Sequence, residues 1–178
     1  MTPANNSAAE AASSIPADRR GSEAARAVAT STEFISFAIG DEQYGVDIMA
    51  VREIKGWSSV TQLPSQPEYM RGVLNLRGIM VPIVDLRCRF GQGLTDATAM
   101  HVVIVVQVDT KMVGLLADRV LDIVAVDVSL IQAVPQVSRA VSGDFLSGLV
   151  TVEATLIALI NLTQLLSERP EIDTAATL

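Results

Sequence analysis

The residues that could perform catalysis are few in this 178-residue chain. His101 is the only histidine and Cys88 is the only cysteine, and neither lies beside a nucleophile or a carboxylate pair in a spacing typical of an enzyme. Ser142 and Ser147 lie in SGDFLSG, which lacks the GxSxG pattern of a hydrolase nucleophile elbow. The sequence therefore predicts a protein that is not an enzyme.

Motifs for metals and nucleotides are also missing from the sequence. It contains no CxxC, HExxH or EF-hand spacing, no P-loop and no GxGxxG. Asp41, Glu42 and Asp47 could be read as paired carboxylates, but their positions at a turn and a strand end favour solvated side chains. We expect neither a metal nor a cofactor.

Two side chains could instead bind another protein. Arg77 precedes Gly78 between two apolar runs in NLRGIMVPIVDL, and its planar guanidinium is suited to carboxylates or to the carbonyl groups at a helix end. Trp57 is the only tryptophan and follows Gly56 in a polar loop. The Trp57 ring could pack on its own loop or anchor an interface, and the sequence leaves both interpretations open.

Composition limits the class of partner and the compartment. The chain is 49% hydrophobic and 19% charged, which favours a globular domain with a large core. Its net charge of −7 and its 4% aromatic content argue against a nucleic-acid partner. They therefore also argue against the alternative that the protein is an oligonucleotide-binding barrel. One cysteine, no apolar leader and apolar runs too short to span a bilayer predict a cytoplasmic protein without membrane insertion.

The elements that must position these side chains are predicted to be paired strands. FISFAIG-DEQ-YGVDI, GVLNL-RG-IMVPIV and VVIVVQV-DT-KMVGLLA each read as a hairpin around a polar turn. Pro67 suits the first position of a helix, and Asp85 suits the N-cap of a short helix. Pro82 predicts an edge strand or a bulge. Residues 1–31 are predicted to be a disordered tail, residues 32–168 the folded domain, and residues 169–178 a loose C-terminal tail.

An internal repeat organises the folded part. Phe34–Ile54 can be laid over Val103–Ile123 without gaps, and Gly72–Phe90 over Gly148–Leu166 in the same order. Each unit is close to the lower limit for independent stability, so the two should pack together or interleave. We therefore predict a mostly β protein of two five-stranded antiparallel barrels packed together, with short helices.

The repeat separates structural from functional residues at one turn. Where the first unit has Arg77 and Gly78, the second has Glu153 and Ala154. The fold therefore tolerates either pair, and Gly78 is the more structural residue because a tight turn often needs a positive φ. Repeat-equivalent apolar residues could line a groove between the barrels, which would suit an amphipathic helix with Arg77 at the rim.

The sequence also resembles a known family. FAIGDEQYGVDIMAVREI, GVLNLRGIMVPIVDLRCRFG and VVIVVQV…VGLLADRVLDI are similar to the CheW chemotaxis coupling proteins over about residues 33–167. The resemblance implies two SH3-like barrels and a non-enzymatic scaffold or adaptor that links chemoreceptor cytoplasmic tips to the histidine kinase CheA, in arrays at the membrane. The same fold forms the regulatory domain of CheA itself, but kinase and phosphotransfer domains are not expected within these 178 residues.

The resemblance also implies site residues by motif position. A receptor-binding groove between the barrels would contain Val51, Glu53, Gly72, Arg77 and Val120. The kinase regulatory domain would dock on the first barrel at Ile48, with Trp57 beside it. A ring interface between array components would lie near Gln132, Gln136 and Val137, where family members often carry charged and aromatic residues that this chain lacks.

Overall fold

The computed structural model describes residues 31–135 and 143–167. The first strand begins at Ser31, so the folded part starts one residue before the predicted boundary. The rest of both predicted tails lies outside the described residues. No helix in the described ranges is long and apolar enough to cross a membrane.

Strands dominate the described residues, and the helices are short. The strands are β1 (Ser31–Ile39), β2 (Glu42–Asp47), β3 (Val51–Gly56), β4 (Met70–Leu76), β5 (Ile79–Asp85), β6 (Val102–Val108), β7 (Lys111–Ala117), β8 (Arg119–Asp127), β9 (Leu146–Val152) and β10 (Thr155–Ile160). The α-helices are α1 (Leu86–Arg89) and α2 (Leu162–Leu166), and single 3₁₀ turns span Ile48–Ala50, Val128–Leu130 and Gly143–Phe145. The three predicted hairpins and the short helix after Asp85 are confirmed.

The strands form two five-stranded sheets that exchange hairpins between the repeat units. The first sheet has the order β8-β1-β2-β10-β9, and the second has the order β3-β6-β7-β5-β4. The first hairpin of each unit thus lies in the sheet that holds the second hairpin of the other unit. This exchange makes β2 parallel to β10 and β5 parallel to β7, so the prediction of purely antiparallel pairing is wrong at one pair in each sheet.

Each sheet is closed by the chain that follows one of its edge strands. Beyond β3, Thr61 exchanges two backbone hydrogen bonds with Val73 on β4, with N···O distances of 2.9 and 2.8 Å. Beyond β8, Gln132 exchanges two such bonds with Leu149 on β9, both at 2.8 Å. These bridges join the two edges of each sheet, which is how a barrel protects short strands from pairing with other chains.

Glycine allows the backbone to approach closely at both closures. Gly72 has a φ of +129°, and a Cβ atom there would lie 2.3 Å from the carbonyl oxygen of Thr61. A Cβ at the repeat-equivalent Gly148 would lie 2.5 Å from Ile131 Cγ2 and 3.0 Å from the Gln132 carbonyl oxygen. The repeated glycine is therefore required by barrel closure rather than by strand formation.

The buried side chains form three clusters with different roles. The largest joins the two sheets and the helices, and we call it the shared core; it includes Phe37, Tyr44, Leu86, Ile104, Leu115 and Leu165. The second-sheet cluster contains Leu74, Leu76, Val81, Ile83, Val103, Val105 and Leu116. The first-sheet cluster contains Phe34, Val126, Val150, Ile157 and Leu159. Because both units contribute side chains to the shared core, neither unit is expected to fold alone.

The β4–β5 and β9–β10 turns have the same backbone shape. Arg77 and Gly78 have φ values of +51° and +88°, and Glu153 and Ala154 have values of +48° and +67°. Two central residues with positive φ match the right-handed twist of the flanking strands. The predicted positive φ at Gly78 is confirmed, and Ala154 adopts the same strained region without being glycine.

Ala154→Gly is expected to stabilise the protein by about 0.5–1 kcal/mol. The left-handed conformation costs an L-residue about 1–2 kcal/mol, and the greater freedom of glycine in the unfolded chain offsets part of the gain. Urea unfolding of Ala154→Gly and of the reverse change, Gly78→Ala, checks this. Gly78→Ala should lose a similar amount because a Cβ there meets no atom within 4 Å. Unchanged midpoints in both variants would contradict the strain at these turns.

Two sequence-based expectations in the second sheet are wrong. No helix begins at Pro67; the chain forms turns there, and the Met70 N–H donates to the Pro67 carbonyl at 2.9 Å before β4 starts. Pro82 was expected at an edge or a bulge, but β5 lies between β7 and β4. Pairing of β5 with β7 begins only at Ile83, so Pro82 removes no donor from that ladder.

Candidate protein-binding site

The structure brings Glu53 and Arg77 together. Arg77 Nη2 donates to Glu53 Oε2 from the β4–β5 turn to β3. The Arg77 side chain is nevertheless 80% exposed, whereas that of Glu53 is 33% exposed. An exposed pair of this kind contributes at most about 1 kcal/mol to folding. The Arg77 guanidinium is thus oriented by Glu53 and remains accessible to a partner.

A bulge places Glu53 beside this turn. The β3–β6 register steps from Val51 opposite Val106 to Glu53 opposite Val105, which leaves Arg52 as the extra residue. A bulge bends its strand and redirects the side chains next to it. The β1–β8 register contains the equivalent step, between Val120 and Asp122, at the repeat-equivalent position.

Val51 and Val120 are half-buried and both pack against the shared core. They occupy matching positions on β3 and β8, the strands at one edge of each sheet. The two repeat-equivalent valines thus pack on the same core, and their role in a receptor-binding groove stays a prediction. Both side chains serve the core, so only their exposed part is available to a partner.

Sequence reasoning missed two apolar side chains on the same strands. Ile54 is 41% exposed and Ile123 is 55% exposed, and they are repeat-equivalent. An exposed isoleucine on each of two matching strands suits an apolar partner surface. The repeat overlay already places Ile54 on Ile123, and an apolar residue beside an acidic one in both units was the signal that could have found them.

Gly72 differs from the other predicted receptor residues because it has a structural role in barrel closure. Gly72 lies against the Thr61 backbone at the closure of the second sheet, where it has no side chain to offer. The positive φ of Gly72 and its close approach to the Thr61 backbone explain why glycine is needed here, with no contact to a partner required.

The family resemblance implies that Trp57 lies beside Ile48, but the structure separates these two residues. Ile48 is the first residue of the 3₁₀ turn before β3 and packs against the shared core. Trp57 follows the end of β3 and packs against the second-sheet cluster. The six-residue strand between them spans about 20 Å. The extended strand explains the separation, because Ile48 precedes β3 and Trp57 follows it.

A buried ionic network lies beside Trp57. Arg71 Nη1 donates to Asp85 Oδ2 at 3.2 Å and to the Thr95 carbonyl at 2.7 Å. Asp85, whose side chain is 0% exposed, also accepts from the Thr95 N–H at 2.8 Å and the Thr95 hydroxyl at 2.7 Å. As the N-cap of α1 it accepts from the Cys88 N–H at 3.2 Å. Arg71 Cζ lies 5.8 Å from the centroid of the Trp57 ring.

A second network joins the two sheets at Asp118. Asp118 Oδ2 accepts from the Gly40 N–H at 2.7 Å and from Arg87 Nη2 at 2.6 Å, and Oδ1 lies 3.7 Å from His101 Nε2. Burial acts to raise the pKa of Asp118, but these hydrogen bonds and the nearby positive charges outweigh it and hold the pKa below its usual value. His101 Nδ1 accepts from the Thr98 N–H at 3.0 Å, so the histidine orders a loop.

At the β1–β2 turn, the Glu42 carboxylate is hydrogen-bonded to two neighbouring side chains. Glu42 Oε2 accepts from the Tyr44 hydroxyl at 2.6 Å and from Gln92 Nε2 at 2.8 Å. Burial, together with the Glu42 carboxylate, raises the pKa of Tyr44, which keeps the phenol neutral.

A cavity of about 560 Å³ adjoins this turn and is lined by residues of β2, β9 and β10, away from Arg77. Within the described ranges, no cluster of three side chains could hold a metal ion.

The predicted ring interface is only partly described. Gln132 is exposed, and its backbone closes the first sheet through Leu149. Gln136 and Val137 lie outside the described residues.

Comparison with known proteins identifies the family. A model of the CheW-like domain matches residues 33–170. The chain is 47% identical over 136 residues to the probable chemotaxis protein CheW of Rhizobium etli, covering 76% of this chain and 88% of that protein. It is 43% identical over 130 residues to the chemotaxis protein CheW of Rhizobium meliloti, covering 73% and 84%.

A solved structure agrees with this assignment. The crystal structure of the scaffolding protein TtCheW from Thermoanaerobacter tengcongensis matches with a TM-score of 0.70 at 29% identity, covering 78% of this chain and 89% of that one. Because the family match spans nearly all the described residues and includes both barrels, the chain belongs to the CheW family.

Proposed function

We propose that the protein is a non-enzymatic adaptor of chemotaxis signalling that couples the cytoplasmic tips of chemoreceptors to the histidine kinase CheA. Relatives that it resembles over most of its length are named as chemotaxis proteins, and a structural neighbour is named as a scaffolding protein. The protein would act in the cytoplasm and be recruited to receptor arrays at the membrane.

One observation carries the receptor-binding part of the proposal. Arg77 is 80% exposed and oriented by Glu53, whereas the equivalent turn of the second unit carries Glu153 with the same backbone shape. The arginine is thus supplied by one unit only and is not needed for the turn. Together with the exposed Ile54 and Ile123, it would offer an amphipathic receptor helix one directional charge and an apolar surface.

The kinase-binding part rests on two partly exposed apolar anchors. Ile48 and Trp57 lie at opposite ends of β3 and are both half-buried, so each presents one face to solvent while the other is fixed by the core. Aromatic side chains held in this way often dominate an interface. The regulatory domain of CheA would therefore contact both ends of β3, and Gln132 would belong to a separate array contact.

Reconstitution tests the coupling function directly. Purified receptor cytoplasmic fragment, CheA and ATP are combined with and without this protein, and CheA autophosphorylation is measured. An adaptor should make kinase activity depend on the receptor, whereas a protein that binds only one partner should not. Equal kinase activity with and without the protein would reject the proposal.

Arg77→Glu is expected to weaken binding of the receptor fragment about tenfold, which corresponds to about 1.4 kcal/mol, while changing the free energy of unfolding by less than about 1 kcal/mol. The turn keeps its shape with Glu153 in the second unit, so folding should persist. Isothermal titration calorimetry gives the affinity, and urea unfolding gives the stability.

Glu153→Arg is the matched control for Arg77→Glu. It makes the opposite charge change at the equivalent turn, which has no predicted receptor role. Receptor affinity should stay unchanged in Glu153→Arg. If Arg77→Glu binds the receptor fragment like the wild type, or if both variants lose affinity equally, Arg77 does not contact the receptor.

A further inference from the structure

The Arg71–Asp85 pair is not needed by the motif in which it occurs. The repeat overlay places Arg71 on Ser147 and Asp85 on Asn161. Asn161 caps α2 by accepting from the Gln164 N–H at 3.1 Å, just as Asp85 caps α1. The strand, the turn and the helix thus form in the second unit without either charge. Because Ser147 and Asn161 cannot form such an ion pair, its role is specific to the first unit.

The surroundings of the ion pair contain Thr95 and Trp57. Asp85 accepts two hydrogen bonds from Thr95, and Arg71 donates to the Thr95 carbonyl, so the loop after α1 is tied to the end of β5. The Arg71 guanidinium, held by both groups, lies 5.8 Å from the Trp57 ring centroid. A cation within about 6 Å of an indole face is attracted by the ring electrons.

Trp57 is also held by its main chain and by apolar packing. Its backbone N–H donates to the His101 carbonyl at 2.9 Å, which fixes the main chain but leaves the side-chain torsions free. The side chain is partly buried and packs against the second-sheet cluster, as do those of Val60, Ala97 and Met112. A planar cation held by a buried carboxylate adds a directional contact to this non-directional apolar packing, and can thereby select one ring orientation.

We infer that Arg71 is a positioning residue: anchored by Asp85 and Thr95, it sets the orientation in which Trp57 is presented to the kinase regulatory domain. The inference rests on the proposed function for its consequence, because Trp57 is there a kinase contact. The orientation of the ring itself does not depend on that function. Lysine in place of Arg71 would keep a charge for Asp85 and would lose the planar guanidinium that contacts Asp85, the Thr95 carbonyl and the Trp57 ring together.

The single tryptophan provides a direct measurement. Trp57 is the only tryptophan in the chain, so the emission spectrum and acrylamide quenching of the whole protein report on this ring. Arg71→Lys should shift the emission maximum to longer wavelength and increase acrylamide quenching, while the circular dichroism spectrum stays that of a folded protein. Arg71→Ser combined with Asp85→Asn, which imitates the second unit, should do the same without leaving an unpaired charge.

Arg89→Lys is the matched control. Arg89 also stacks on aromatic rings, with Cζ 4.1 Å from the Tyr69 centroid and 4.7 Å from that of Phe145, but it does not contact Trp57. Its substitution should leave tryptophan emission unchanged. Unaltered emission and quenching in both folded Arg71 variants, or an equal change in Arg89→Lys, would overturn the inference.

Binding of the CheA regulatory domain separates the two hypotheses. Arg71→Lys should weaken this binding about fivefold, the effect of losing one cation–π contact, and should leave receptor affinity unchanged. If Trp57→Ala binds the kinase domain like the wild type, the proposed kinase contact fails, and the emission test still decides the positioning role. If Trp57→Ala loses binding and Arg71→Lys does not, the positioning role has no consequence for docking and that part of the inference is wrong.

Discussion

Asp85→Ala is expected to lower the free energy of unfolding by about 3 kcal/mol. The change leaves Arg71 without its buried counter-charge, removes two acceptors from Thr95, and deletes the N-cap of α1. An N-cap alone is worth about 1 kcal/mol, so most of the loss should come from the network. Equilibrium urea unfolding, followed by circular dichroism, measures the change.

Asn161→Ala is the appropriate comparison, since Asn161 caps α2 at the repeat-equivalent position without an ion pair. It should cost about 1 kcal/mol, the usual value for a lost cap. Asp85→Asn should fall between the two variants, because the cap is kept and the charge is lost. Equal losses for Asp85→Ala and Asn161→Ala would show that the ion pair contributes nothing to stability.

Gly72→Ala is expected to cost about 3 kcal/mol or more. The residue has a φ of +129°, and its new Cβ would lie 2.3 Å from the Thr61 carbonyl oxygen. Backbone atoms cannot move aside as a side chain can, so the Thr61–Val73 bridge that closes the second sheet should break. Thermal unfolding should show a lower midpoint, and amide exchange at Val73 should become faster.

Gly56→Ala controls for the loss of a strand glycine, since a Cβ at Gly56 meets no atom within 4 Å. It should change stability by less than about 0.5 kcal/mol. Receptor affinity of the folded fraction of Gly72→Ala decides between the two roles for Gly72. An affinity equal to that of the wild type supports closure as the role, and a stable variant with weak receptor binding would support direct contact instead.

Local sequence patterns predicted most of the elements correctly. Alternating apolar residues around DEQ, RG and DT predicted three hairpins, because strands with one buried face repeat with a period of two. Asp85 was predicted as an N-cap because a carboxylate can accept from the free N–H groups of a first helical turn. Pro67 was misread as a helix start, since its fixed φ suits a turn equally well.

The candidate site was predicted less completely than the fold. The internal repeat pointed to Arg77, because Glu153 occupies the same turn. It could not reveal that Glu53 orients Arg77, since the two residues are 24 positions apart and meet only when β3 and the β4–β5 turn come together. The family resemblance implied Trp57 beside Ile48, although the extended strand β3 holds these two residues at its opposite ends.

The amino-acid sequence by itself was sufficient to predict the hairpins, the caps and the tight turns, because each depends on contacts between residues close in the chain. The twofold repeat is visible in the sequence directly. Other features depend on which distant strands meet. These are the exchange of hairpins, the parallel pairs β2–β10 and β5–β7, and the closures at Thr61 and Gln132. That choice is made by burial of the shared core, to which both units contribute side chains. Tertiary packing therefore decided that Arg77 faces Glu53 and that Arg71 lies over Trp57.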